Sequence, residues 1–139
     1  MLKATGSMGW ISLVIIYTVM TFLLSSIRTP SLYGPFQVYR IDLLLHAMEY
    51  GILAWLMLRA VQSTETVRNW WKWFTIITIY CGAIGGLNEL WQSRVPGRFP
   101  SLSDMLANIV GTVIVLFIFR IINKKQNKHR KGELWHRVV

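Results

Sequence analysis

Asp42, His46, Glu49 and Tyr50 follow one another at i, i+4, i+7 and i+8, and Glu89, Gln92, Arg98, Asp104 and Asn108 crowd a second short stretch. Carboxylates, an imidazole and a guanidinium are groups that move protons, hold phosphate or carboxylate, and ligate metal ions. Both sets interrupt strongly apolar sequence. A charge at the centre of a helix in hydrocarbon costs roughly 2.5 to 3.5 kcal/mol on insertion scales, so such residues persist where they face partners, water or a ligand. Function is therefore expected in the stretch 85–111, which holds Asn88, Glu89, Gln92, Arg94, Arg98, Asp104 and Asn108, together with the stripe that starts at Asp42.

Two chemical readings fit these residue types. In the first, the acids, amides and arginines form a binding site, with Arg98 and Arg40 offering planar forks of donors to phosphate or carboxylate. In the second, the cluster is catalytic. Imidazoles titrate near neutrality and suit proton transfer, which makes His46, Glu89 and Asp104 the candidate catalytic residues. No nucleophile motif or P-loop is present. Asp42, His46, Glu49, Glu89 and Asp104 also offer the nitrogen and oxygen ligands that zinc or manganese accept, and His46 and Glu49 at i and i+3 could share an ion. A lone histidine in such a stripe is more often a hydrogen-bonded core residue, so neither metal nor other cofactor is expected. The bland alternative is a network that only holds helices together. Interhelical polar contacts in membranes average about 0.6 kcal/mol each, a weak reason to place so many.

The elements that must position these groups follow from hydropathy. Of 139 residues, 53% are hydrophobic and 15% charged. Runs at 8–27, 43–60, 73–90 and 102–122 are apolar, each about long enough to cross roughly 30 Å of hydrocarbon as a helix. Period-two alternation is absent, which excludes a β-barrel. The expected fold is an all-α polytopic membrane protein, four transmembrane helices in a compact bundle over 1–123, followed by a basic tail at 124–139. The first run has only Lys3 before it and no small-x-small cleavage pattern after it, so it is expected to be a retained span. Cys81, the single cysteine, falls inside the third run and is expected to be a small buried hydrophobe.

Helical spacing sets the depth of each polar group. Gly82, Gly86 and Glu89 share a face of the third span and are expected to allow close helix approach, either within or between protomers; Asp104, Asn108 and Gly111 repeat the pattern on the fourth. Val95, Pro96 and Gly97 form a turn, after which Ser101 or Ser103 can cap the next helix. Tyr33, Phe36 and Tyr39, interleaved with Pro30, Gly34 and Pro35, suit an interfacial loop that anchors the outer surface or covers the site as a lid. The opposite halves of the spans, such as 53–58 and 113–119, carry no polar relay, so a through-path for transport is not expected within one protomer.

Charge orients the spans. With four of them, Arg28, Arg40, Arg94 and Arg98 fall on one side, matched by Asp42, Glu49, Glu89 and Asp104, and the other eleven of the fifteen Lys and Arg residues fall on the opposite side. The formal net charge of +9 thus lies wholly on one side. Because cytoplasmic loops retain Lys and Arg, both termini are predicted inside and the three polar stripes in the outer half. Trp70, Trp71 and Trp73 suit the inner interface, and the tail is expected to contact anionic lipid headgroups rather than nucleic acid.

Taken together, Asp42, His46, Glu49 and Tyr50 at the start of the second span, and Glu89, Gln92, Pro96, Gly97, Arg98, Ser103, Asp104, Asn108 and Gly111 further on, resemble the VanZ-like family of small bacterial membrane proteins. Leu43 stands where many members have a lysine, and Asn88 where many have an acid. The resemblance implies a multi-pass protein of the bacterial plasma membrane with a role in the cell envelope. It also implies a possible link to resistance to teicoplanin, which acts outside the membrane on wall precursors. The expected partners are membrane lipids, a lipid-linked cell-wall precursor and further copies of the chain.

The charge reading yields a topology test. After replacement of Cys81, a cysteine beside Arg98 should react with an impermeant maleimide on intact cells, and one beside Lys128 only after permeabilisation. The reverse labelling pattern would overturn the assigned orientation.

Overall fold

A computed structural model describes residues 2–26, 35–64, 69–96 and 100–136, with side chains at 6–26, 41–64, 69–96 and 100–124. Those residues form four helices, α1 (Leu2–Ser25), α2 (Pro35–Thr64), α3 (Trp70–Gln92) and α4 (Leu102–His136), and no strand. The chain is all-helical, and three helices are long and apolar enough to cross a membrane, at Gly6–Ser25, Ile41–Thr64 and Leu102–Lys124. Helix α3 has the length, but Lys72 at its start and Asn88, Glu89 and Gln92 at its end dilute its apolar content.

The helix ends have local causes. Helix α2 begins at Pro35, whose fixed φ and missing N–H suit the first helical position. Part of the segment expected as an interfacial loop or lid, from Pro35 onward, is therefore helical; Tyr33 lies outside the described residues, as do the side chains of Phe36 and Tyr39. Asn69 caps α3, its side chain accepting from the Lys72 amide at 3.1 Å. At the start of α4 it is Ser101 that caps: its Oγ accepts from the Asp104 amide at 3.4 Å and meets the Ser103 hydroxyl at 2.8 Å. The basic tail does not begin as a separate element, because α4 continues without a break to His136.

Helix α2 touches each of the other three, most extensively α4, while α1 and α4 do not meet among the described residues. Its apolar window is 39% buried, against 11% for α1 and 22% for α4, which makes it the innermost helix. The contacts alternate helix directions. One end of the assembly gathers Ser25, His46, Asn88 and Asp104, and the other gathers Trp10, Arg59, Trp70 and Arg120.

The polarity of this assembly is inverted relative to a water-soluble protein. Ile15, Ile16, Leu23, Leu44, Met48, Ile79, Leu90, Leu106 and Ile118 are all more than half exposed, whereas Thr21, Ser25, His46, Asn88, Glu89, Gln92, Asp104, Asn108 and Thr112 are buried. An exposed apolar surface of this extent costs free energy against water at about 25 cal/mol per Å² and nothing against lipid. The helices have the surface of a membrane protein.

Close approach depends on glycines other than those that spacing singled out. A Cβ at Gly111 would fall on the Ala47 carbonyl and lie 2.7 Å from the Ala47 Cα, so the backbones of α2 and α4 touch there. A Cβ at Gly51 would meet the same junction, 3.0 Å from Val115 Cγ2 and 3.4 Å from the Gly111 carbonyl oxygen. On α3 it is Gly85 that meets a neighbour, Asn108 of α4, whereas a Cβ at Gly82 or Gly86 would meet no atom of another helix within 4 Å, so these two do not form the expected packing face inside the protomer. The buried stripe of α3 runs Ile77, Cys81, Gly85 and Glu89, and Gly82 and Gly86 sit one position round the helix from it.

Gly111→Val should destabilise the folded protein in mixed micelles by about 3 kcal/mol or more, the upper end of overpacking costs, because backbone cannot yield as a side chain can. Gly82→Ala should change it by less than about 1 kcal/mol. Equal unfolding midpoints for the two variants would contradict the α2–α4 contact.

Candidate functional site

Each buried stripe is polar at one end and apolar at the other. On α4, Asp104, Asn108, Thr112 and Leu116 recur every fourth residue and all are buried; on α2 the stripe runs His46, Tyr50, Leu53, Ala54 and Leu58. On α3 it runs from Ile77 and Cys81 to Asn88, Glu89 and Gln92. Because the helices alternate in direction, the polar ends of all three stripes coincide, and the apolar ends form the core of Tyr50, Leu53, Ala54, Leu58, Ile77, Cys81 and Leu116. Cys81 is buried and free, as a small hydrophobe would be.

At the polar end, His46 Nε2 lies 3.7 Å from Asp104 Oδ2, joining α2 to α4. Asp42, one turn earlier on α2, places a carboxylate oxygen within 4.8 Å of both. His46 and Asp104 are buried and Asp42 is half-buried, so this group opens to the surface on the Asp42 side. Asp104 stands in the first turn of α4, where the helix dipole favours a carboxylate.

Glu89 is engaged differently. Its Oε2 accepts the Ser101 amide at 2.9 Å, so a carboxylate from the end of α3 fixes the chain as it enters α4. An ionised acceptor on an amide at a helix start is among the stronger hydrogen bonds. That placement makes Glu89 a positioning group for the start of α4, which carries Asp104.

The remaining polar side chains brace the helices. Asn88 Nδ2 donates to Ser25 Oγ at 2.8 Å, Trp91 Nε1 to Ser26 Oγ at 2.8 Å, and the Tyr17 hydroxyl to the Glu49 carbonyl at 3.2 Å. Thr112 Oγ1 donates to the Tyr50 carbonyl at 3.4 Å. Glu49, expected on the stripe with His46, lies beside α1. Among the described residues His46 Nδ1, Gln92 Nε2 and both polar side-chain atoms of Asn108 are buried without a hydrogen-bond partner. Buried polar atoms without partners cost roughly 1–3 kcal/mol each.

Of the expected site residues, the structure brings Asp42, His46 and Asp104 within ligating distance of one another and buries Tyr50, Glu89, Gln92 and Asn108 at or beside the same end. Arg98 lies outside the described residues, as does the side chain of Arg40, and Arg94 is exposed. Ser25, Thr21 and Thr112 belong to the buried polar set but were not singled out from the sequence, where a hydroxyl in an apolar helix is commonplace. The signal available was the four-residue step from Thr21 to Ser25 and from Asn108 to Thr112. No family model, curated protein or solved structure matches the chain.

The Glu89–Ser101 bond gives a direct test. Glu89→Ala should lower stability in mixed micelles by about 1.5–3 kcal/mol, the range for a charge-assisted hydrogen bond, and Glu89→Gln by less, since an amide oxygen still accepts. An unchanged midpoint for Glu89→Ala would contradict the positioning role.

Proposed function

We propose that this chain is a VanZ-like protein of the bacterial plasma membrane that crosses it four times. Its polar end would face outward and bind a lipid-linked envelope precursor or a phospholipid. The observation that carries this reading is the coincidence of buried polar side chains at one end of helices whose outer surface is apolar. A lipid ligand can approach such an end sideways through the membrane, its chains on the apolar surface and its headgroup among the polar residues.

A fourth span is supported by α3 itself. Its 23 residues extend about 35 Å at 1.5 Å per residue, and Ile76, Ile79, Leu87 and Leu90 are exposed along it as lipid-facing residues would be. The orientation is supported by the opposite end, where cations and indoles pair. Arg59 lies 5.1 Å from the Trp10 ring, Arg120 4.6 Å from that of Trp71, and Lys72 5.0 Å from that of Trp73. Indoles and cations in company suit a headgroup layer, and an excess of Lys and Arg suits the cytoplasmic one. The tail, continuous with α4, extends that side.

In this reading Asp42, His46, Glu49, Tyr50, Glu89, Gln92, Asp104 and Asn108 line or support the pocket, and Arg98 supplies the phosphate-binding fork. The resemblance to the VanZ-like family extends the proposal to teicoplanin, which acts outside the membrane on wall precursors. Self-association would use an apolar face, and Gly82 with Gly86, open within the protomer, is one available for it. The His46–Asp104 pair favours a second reading, an intramembrane enzyme in which an acid-paired imidazole moves a proton on the bound lipid.

Native mass spectrometry of the gently purified protein separates these outcomes. The wild type should carry a lipid or wall precursor that Arg98→Ala and Glu89→Gln lose while staying folded. Conversion of that lipid by wild type but not by His46→Gln would establish the enzyme. No bound lipid in the wild type, with both variants unfolded, would leave only a structural network.

A further inference from the structure

We propose that Asp42, His46 and Asp104 form a binding site for one divalent transition-metal ion of the zinc type. The three residues come from two helices, and one ligand atom from each lies within 4.8 Å of the others. For bonds of about 2.1 Å, two ligands of one ion stand roughly 3.4 Å apart in a tetrahedral arrangement and at most roughly 4.2 Å apart. The His46 Nε2 to Asp104 Oδ2 separation of 3.7 Å falls between these limits, and Asp42, within 4.8 Å of both, would close on the ion by rotation of its side chain. The 3.7 Å separation is too long for a hydrogen bond, whose N···O range ends near 3.2 Å.

The imidazole is oriented for this role. His46 is 5% exposed and turns Nε2 toward Asp104 Oδ2 at a spacing that a shared ion spans. Its Nδ1, on the other side of the ring, has no hydrogen-bond partner among the described residues, so contacts on the Nε2 side set the orientation of the ring.

Donor chemistry selects the ion. One imidazole nitrogen with two carboxylate oxygens suits zinc or manganese, whereas magnesium and calcium favour all-oxygen sets. The two carboxylates neutralise a 2+ ion, which offsets its desolvation at this depth. Asp42, half-buried at the mouth, gives the entry route. Three protein ligands leave a coordination position open for water or an anionic oxygen, as in catalytic rather than structural zinc sites. The pairing that spacing on α2 offered, His46 with Glu49, is replaced by one that crosses to α4. This inference stands apart from the lipid reading, because the ion is tested alone.

The test uses the full-length protein in detergent, without a polyhistidine tag and with His129 and His136 replaced by glutamine to remove competing tail imidazoles. After stripping with chelator it is titrated with Zn2+ by calorimetry, and bound metal is counted by mass spectrometry. One equivalent should bind, and Zn2+ should raise the thermal midpoint. Asp42→Asn and Asp104→Asn should each weaken binding at least about 100-fold, the upper end of what even an outer-shell change costs. Asp42, only half-buried, can be replaced with least risk to folding. Failure of the parent protein to take up stoichiometric Zn2+ would overturn the proposal. So would undiminished affinity in an Asp42→Asn variant that is folded by circular dichroism and gel filtration.

Discussion

Hydrocarbon offers no hydrogen bonds, and this constraint organises everything else in the protein. A helix that must lie in such a medium turns its apolar residues outward and keeps its carboxylates, amides and hydroxyls for contact with its neighbours. Every stripe of buried polar residues here obeys that rule. Glu89, Asp104, Asn88 and Asn108 are enclosed while isoleucines and leucines cover the outside. Confinement of those groups to one end is what turns a packing requirement into a candidate site. Spread evenly along the helices, the same residues would only glue them together.

The α2–α4 junction converts this constraint into geometry. With Gly111 against Ala47, the two backbones approach as closely as helices can, and the residue before Ala47 is His46. Asp104, two turns back along α4, is thereby carried to the imidazole. Glu89 fixes the entry to α4 from the third helix, and Ser25 with Asn88 ties α1 to α3. Each brace is weak by itself, since polar contacts in membranes are individually small. Their common effect is to hold three ionisable groups within reach of one another at a depth where misplacement would be costly.

Much of this arrangement was legible in the sequence. Hydropathy marked the four helices, and helical spacing marked the stripes with His46, Glu89, Asp104 and Asn108, whose coincidence at one end follows from alternating directions alone. What periodicity does not give is the rotation of one helix against another. Gly82, Gly86 and Gly85 all satisfy a plausible small-residue spacing, and only the packed structure distinguishes Gly85, which meets Asn108, from the other two. The same limit left open which acid of the cluster His46 would face: spacing offered Glu49 on its own helix among others, and packing brings it to Asp104 on another. The start of α2 at Pro35 differs from the expected loop for another reason. Proline and aromatic residues read as loop, but a proline is well tolerated where a helix begins.

The most direct test of this account is the accessibility of spin labels in lipid nanodiscs, measured by collisional relaxation with oxygen and with a water-soluble nickel chelate after removal of Cys81. Labels at Ile15, Ile79 and Ile114, one each on α1, α3 and α4, should relax with oxygen and be shielded from nickel, as residues facing acyl chains are. Labels at these positions that relax chiefly with nickel would place the apolar surface in water and contradict the inverted polarity on which the site depends.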